Sequence, residues 1–224
     1  MSIAGASLIA IWNDVTDEGR ENFYQWHNRE HMPERVAIPG FQRGRRYIAV
    51  EGTPEYFTLY EAETFAVLSG SDYFTRLNNP TPWTRAVVQT HFRNMSRGIC
   101  RVDYSAGIGQ GGFIATLQFG PRGNGEQLRK HLVQTALPPL LDYPGIAGVH
   151  LCIADRDGSS VEADEKKGQN VSIPNWLVLI EGVTAEDVKL ACAPLRSGLA
   201  ANGAEAEANF ALYRLQLSRC NQRQ

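Results

Sequence analysis

Pro39-Gly40 and Pro144-Gly145 hold the same place in two copies of one pattern. Each pair closes a stretch of helical period, and each is followed by a strand-like run of similar length. A histidine, His31 or His131, precedes each pair. Around these anchors the chain reads twice as strand, helix, strand, strand, helix, strand. The first copy predicts strands over 6–12, 41–50, 56–62 and 96–104 and helices over 18–31 and 64–77. Residues 78–83 carry two prolines and read as a loop. The second copy predicts strands over 112–119, 146–154, 176–181 and 210–217 and helices over 125–142 and 184–202. The last helix opens on a Thr184-x-x-Asp187 cap. A charged, glycine-containing stretch, 155–170, reads as a long loop. A repeat of this length is a duplicated domain, not a solenoid. Two unrelated halves are the plain alternative.

The expected fold is therefore α+β: two tandem ferredoxin-like βαββαβ units, 1–106 and 107–224, packed as a single-chain dimeric α+β barrel. One such unit covers a single sheet face with its helices, and a second unit can bury the bare face. The chain of 224 residues is long enough for this core, and its 43 % apolar and 21 % charged content is that of a globular protein. The net charge is −2, and no basic run exceeds Arg45-Arg46 or Lys166-Lys167, which argues against nucleic acid. None of the four cysteines forms a Cys-x-x-Cys pair, so reduced thiols and a cytoplasmic setting are expected. The apolar run at 6–12 is too short to cross a bilayer, so no membrane partner is expected.

The densest chemistry lies between Tyr24 and Arg35. On a helix, Tyr24, His27, His31 and Arg35 project on neighbouring bearings, with Trp26 and Glu30 to one side. A histidine exchanges protons near neutral pH, and a glutamate beside it can fix its tautomer or act as a base. Arginines on the next strand, Arg43 or Arg45, are candidates to clamp a carboxylate. Strand register, unknown from sequence, decides which of them faces the site. Tyr60 and Trp83 are candidate wall residues. The bland alternative makes Glu30 and Arg35 a solvated pair, His31 a helix-end cation and His27 a satisfied core residue. His27-Asn28-Arg29-Glu30-His31 also matches the H-x-x-E-H zinc pattern, but no third ligand stands out.

Glu30-His31-Met32-Pro33, Ile38-Pro39-Gly40-Phe41, Arg45-Arg46-Tyr47 and 56–61 together resemble the EthD-like branch of the dimeric α+β barrel superfamily. The resemblance implies a pocket between sheet and helices, with His31 as acid–base group. The superfamily spans cofactor-free monooxygenases, isomerases, lyases and haem-binding branches. The leading expectation is a cofactor-independent isomerase or lyase acting by proton transfer on a small anionic or phenolic molecule. His31, His27 and Glu30 would be catalytic. Tyr24, Trp26, Arg35, Arg43, Arg45, Tyr60 and Trp83 would bind substrate. A cofactor-free monooxygenase, a haem or zinc enzyme and a non-catalytic binding module are the alternatives. A homodimer is left open.

Overall fold

The computed structural model describes residues 2–155, 175–206 and 208–221. Among these, eight strands close into one barrel: β1 (Ser7–Val15), β2 (Phe41–Glu51), β3 (Tyr56–Ala62), β4 (Phe92–Gly107), β5 (Phe113–Phe119), β6 (Ile146–Ala154), β7 (Trp176–Gly182) and β8 (Asn209–Cys220). Their order, β1-β3-β2-β8-β5-β7-β6-β4, contains one arrangement twice, β4-β1-β3-β2 and β8-β5-β7-β6. Every neighbouring pair is antiparallel, and the seams between the units are β2–β8 and β4–β6. Closure removes the sheet edges that each unit alone would expose.

The helices lie outside the barrel: α1 (Arg20–Trp26), α2 (Met32–Val36), α3 (Phe65–Leu68), α4 (Ser71–Asn78), α5 (Pro82–His91), α6 (Glu126–His131) and α7 (Ala185–Gly198). Strand alternation then sorts every strand residue to the lumen or to the helix side. The lumen is filled from both units, by Leu8, Trp12, Tyr47 and Phe57 of the first and Ile114, Leu177, Leu179 and Tyr213 of the second.

Across the lumen runs a buried charge network. Arg45 Nε donates to Glu61 at 2.7 Å and its Nη1 donates to Glu181 at 2.7 Å, tying one unit to the other. Arg43 reaches the same Glu61 at 2.7 Å and also donates to Gln110 and to the Ser2 carbonyl. The registers make the network pseudo-symmetric. Glu61 pairs with Arg43 and Leu8 as Glu181 pairs with Gly148 and Ile114, and Arg45 on β2 answers to His150 on β6. Burial pushes the Glu181 carboxyl up, but Arg45 and His150 outweigh it and hold it at about 2.

Between α1 and α2 the helix widens into a π-turn, His27–His31, in which the Met32 N–H donates to the His27 carbonyl. The second unit has the same turn at Leu132–Ala136, closed by Leu137 N–H on Leu132. Each turn stands just before a proline, Pro33 or Pro138, which supplies no N–H and would strike the carbonyl four residues back in a regular helix. The extra residue relieves that clash in both units.

Several elements differ from the sequence reading. Residues 82–91 form helix α5, not loop: Pro82 sits at its first position, where the missing N–H costs nothing, and Thr81 caps it by accepting from Thr84 N at 3.0 Å. The single helix over 64–77 is two, α3 and α4. Strand β4 is longer than 96–104 because its far end crosses the seam to pair with β6. The predicted loop at 155–170 lies, from residue 156, outside the described residues. No helix among the described residues is long and apolar enough to cross a membrane.

Candidate functional site

The site is built where the first π-turn faces the helix side of β1, β3 and β4. A cavity of about 30 Å³ lies there, lined by Ile11, Asn13, Phe23, Trp26, His27, His31, Thr58, Tyr60, Val88, Phe92 and Met95. That is room for about one water molecule or a carboxyl-sized group. The widened turn brings the two imidazoles close, with ring centroids 5.8 Å apart and planes tilted by 38°, and Trp26 packs on His31 at 4.3 Å. Trp26 is itself fixed by its Nε1–H donating to Thr84 at 3.0 Å.

The electrostatics follow from burial. His27 and His31 are 2 % and 5 % exposed. Burial, then the Arg46 charge, holds His27 well below its ordinary value; burial, then Arg35 and His27, does the same to His31. Both rings are neutral at pH 7. Arg46 Nη1 donates to His27 Nδ1 at 3.2 Å, which places the His27 proton on Nε2. That Nε2–H faces the Tyr60 hydroxyl at 3.4 Å. Hydrogen-bond donation therefore runs from Arg46 through His27 to Tyr60, and among the described residues no carboxylate lines the cavity.

Of the residues expected from sequence, His27, His31, Trp26 and Tyr60 line the cavity. Arg35 is buried beside His31, not a solvated partner of Glu30. Glu30 is a correction: it turns away from the imidazoles and accepts from Thr81 at 2.5 Å and Thr84 at 3.2 Å. It therefore ties the π-turn to α5, and the H-x-x-E-H reading loses its carboxylate. Arg43 and Arg45 are also corrections. Register sends both into the lumen with Glu61 and Glu181, on the opposite side of the sheet from the cavity. Trp83 is spent on Asn22, to which its Nε1–H donates at 2.8 Å. Tyr24 stands at the mouth, its hydroxyl 2.9 Å from that of Tyr56.

Arg46 was missed by sequence reasoning. Alternation from Arg45 would have put these two neighbours on opposite faces, but only register says which face holds the cavity. His131 was matched to His31 by sequence; the π-turns align it with Trp26 instead and put Ala136 opposite His31. His131 borders two open hollows of about 220 and 480 Å³ on the second unit.

The architecture is that of the dimeric α+β barrel proteins. An anthrone oxidase-like protein superposes with a TM-score of 0.65 at 10 % identity, covering 96 % of this chain and 93 % of that one. A candidate monooxygenase of Fusobacterium nucleatum gives 0.62 at 8 % identity, covering 97 % and 96 %. A haem-binding protein of Thermus thermophilus gives 0.52 at 9 % identity, covering 95 % and 92 %. No family model matches the sequence, and no curated protein matches it.

The expectation of a cofactor-independent enzyme is corrected: a protein of this fold is a haem-binding protein. The space beside His27 and His31 nevertheless does not fit a porphyrin, since it holds about one water. Among the described residues no group of three or more His, Cys, Asp or Glu is arranged to hold a metal ion.

Proposed function

We propose that the chain is an enzyme that removes an acidic proton from a small enolisable molecule whose reacting group enters the first-unit cavity. His31 is the base. Tyr60 donates to the oxyanion that develops, backed by the His27 Nε2–H and, behind it, Arg46. The observation that carries this reading is the directed chain Arg46–His27–Tyr60 ending at the cavity. Donors aimed where negative charge develops, in a site closed to water, lower the barrier most. Imidazoles held well below their ordinary pKa are weak bases, so they suit a substrate proton made acidic by that stabilisation.

The fate of the resulting carbanion separates the reaction types. Return of the proton to another carbon makes an isomerase, loss of a leaving group makes a lyase, and capture by dioxygen makes a monooxygenase. The names of the similarly folded anthrone oxidase-like and candidate monooxygenase proteins favour dioxygen. The motif likeness around His31-Met32-Pro33 to the EthD-like branch supports the same residue as base. Glu30, tied to Thr81 and Thr84, positions the turn.

The test uses acetone and other small enolisable ketones as probes. Purified chain in D2O is expected to speed hydrogen–deuterium exchange at the acidic carbon, and His31→Gln to slow it by about 10²- to 10⁴-fold. Exchange at the wild-type rate in that variant, or none by the wild type across the probes, would sink the proposal. Oxygen uptake in the same samples separates oxygenation from isomerisation.

A further inference from the structure

Four residues form one row across the helix side of the first unit's sheet. Arg46 on β2 is in register with Thr58 on β3, Thr58 with Ile11 on β1, and Ile11 with Arg97 on β4. Thr58 and Ile11 belong to the cavity wall. The row therefore has two cavity-wall residues at its middle and an arginine at each end, their backbone positions about 14 Å apart at three strand spacings.

Both arginines are buried, at 4 % and 3 % exposure. Neither pairs with a carboxylate among the described residues. Arg46 donates from Nε to Gln216 at 3.0 Å and from Nη1 to Asn28 at 2.8 Å and to His27. Its guanidinium lies over the Tyr24 ring at 4.9 Å and the Phe23 ring at 5.4 Å. Arg97 donates from Nη2 to the Tyr73 hydroxyl. Taking a guanidinium out of water without an opposing charge is costly, and the neighbouring Arg45 shows what this chain does when the role is structural: it supplies two carboxylates.

The second unit shows that the fold does not require charge here. The equivalent row is Leu151, Val178, Leu117 and Phe210, apolar throughout.

We infer that the site takes a small organic anion, its carboxylate received by Arg46 and the far end of the row kept positive by Arg97. This deepens the reading of the cavity as substrate site and rests on it. Arg46 Nη2 donates to no described residue, and the exposed Asn28 and Gln216 frame Arg46 on its outer side. An anion entering between them meets Arg46 first, then His27, then the cavity holding His31 and Tyr60. A guanidinium fork matches a carboxylate in shape as well as charge. Gln216 lies on β8, so the second unit, which has no such row, helps to aim the arginine of the first.

The experiment compares benzoate with benzamide, its uncharged counterpart. Each is titrated into the 15N-labelled full chain while the arginine Nε–H resonances are followed. Benzoate is expected to bind saturably, to move the Arg46 signal, and to bind at least about tenfold tighter than benzamide. Arg46→Gln is expected to remove about tenfold or more of the benzoate affinity and to leave benzamide unchanged; Arg97→Gln removes less, about threefold. Equal binding of acid and amide by the wild type, or no benzoate binding, overturns the inference without need of any variant. Benzoate bound as expected, with His31→Gln still exchanging protons at full rate, would remove the base and leave the anion site standing.

Discussion

The two units share a backbone and differ in what fills it. Both have a π-turn before a proline, a Pro-Gly before the second strand and a glutamate at the same place on the third strand. In the first unit the space between sheet and π-turn is bordered by Asn13, His27, His31, Thr58 and Tyr60. The corresponding positions in the second are Phe119, Leu132, Ala136, Val178 and Ile180, all within its apolar core. A single fold thus carries a polar cavity on one side and an apolar lining on the other. Buried polar groups that the sister unit replaces with aliphatic carbon are not there to make the fold. They cost stability that the second unit does not give up, which is the expected trade at a functional site.

The sharpest break in this comparison is at Arg45. Arg45→Met leaves Glu61 and Glu181 buried without their shared cation and is expected to cost about 3–5 kcal/mol in denaturant unfolding. Its counterpart change, His150→Leu, leaves Glu181 still bound to Arg45, so the loss should be smaller, about 1 kcal/mol. Equal effects would mean that the network is not anchored on Arg45.

Next comes a transplant. Leu132→His places an imidazole in the second unit where the first has His27, but with Leu151 where Arg46 would stand. A buried ring nitrogen without a partner is expected to cost about 2–3 kcal/mol. A tolerated histidine would show that the second core is less closely packed than its burial indicates.

A third contrast is a slope with pH. His27 and His31 titrate below their ordinary value of 6.5 when folded. The unfolded chain therefore takes up their protons first, and their contribution to stability is present above pH 6.5 and is lost as pH falls below it. Each should add about 1.4 kcal/mol of destabilisation per pH unit there. Unfolding measured from pH 7.5 to 5.5 should show this slope, and His27→Leu should remove one histidine's share. An unchanged slope would mean that His27 is protonated in the folded chain. Glu181 acts at a lower range: with its folded value at about 2 against 4.5, its contribution disappears only as pH falls from about 4.5 towards 2.

The frame was legible because its signals are local. Alternation in 41–50, the two Pro-Gly stops and the Thr184 cap each act within a few residues. Helix α5 was lost because Pro82 was read as a breaker, when at the first turn of a helix it is a starter. The site was half legible. His27, His31, Trp26 and Tyr60 line one hollow because they share a helix face or a strand beside it. Glu30 was misplaced because the π-turn rotates it towards Thr81, and a π-turn leaves no periodic mark in the residues it contains.

The sequence by itself determined the duplicated α+β frame and the stretch of helix that carries the imidazoles, because hydrophobic period and turn chemistry are written in consecutive residues. Only the tertiary structure decided that Arg45 enters the lumen while Arg46 faces His27, and that Arg46 and Arg97 end one row through the cavity wall. Those choices depend on strand register between segments far apart in the chain, and shifting a strand by one residue would exchange its two faces.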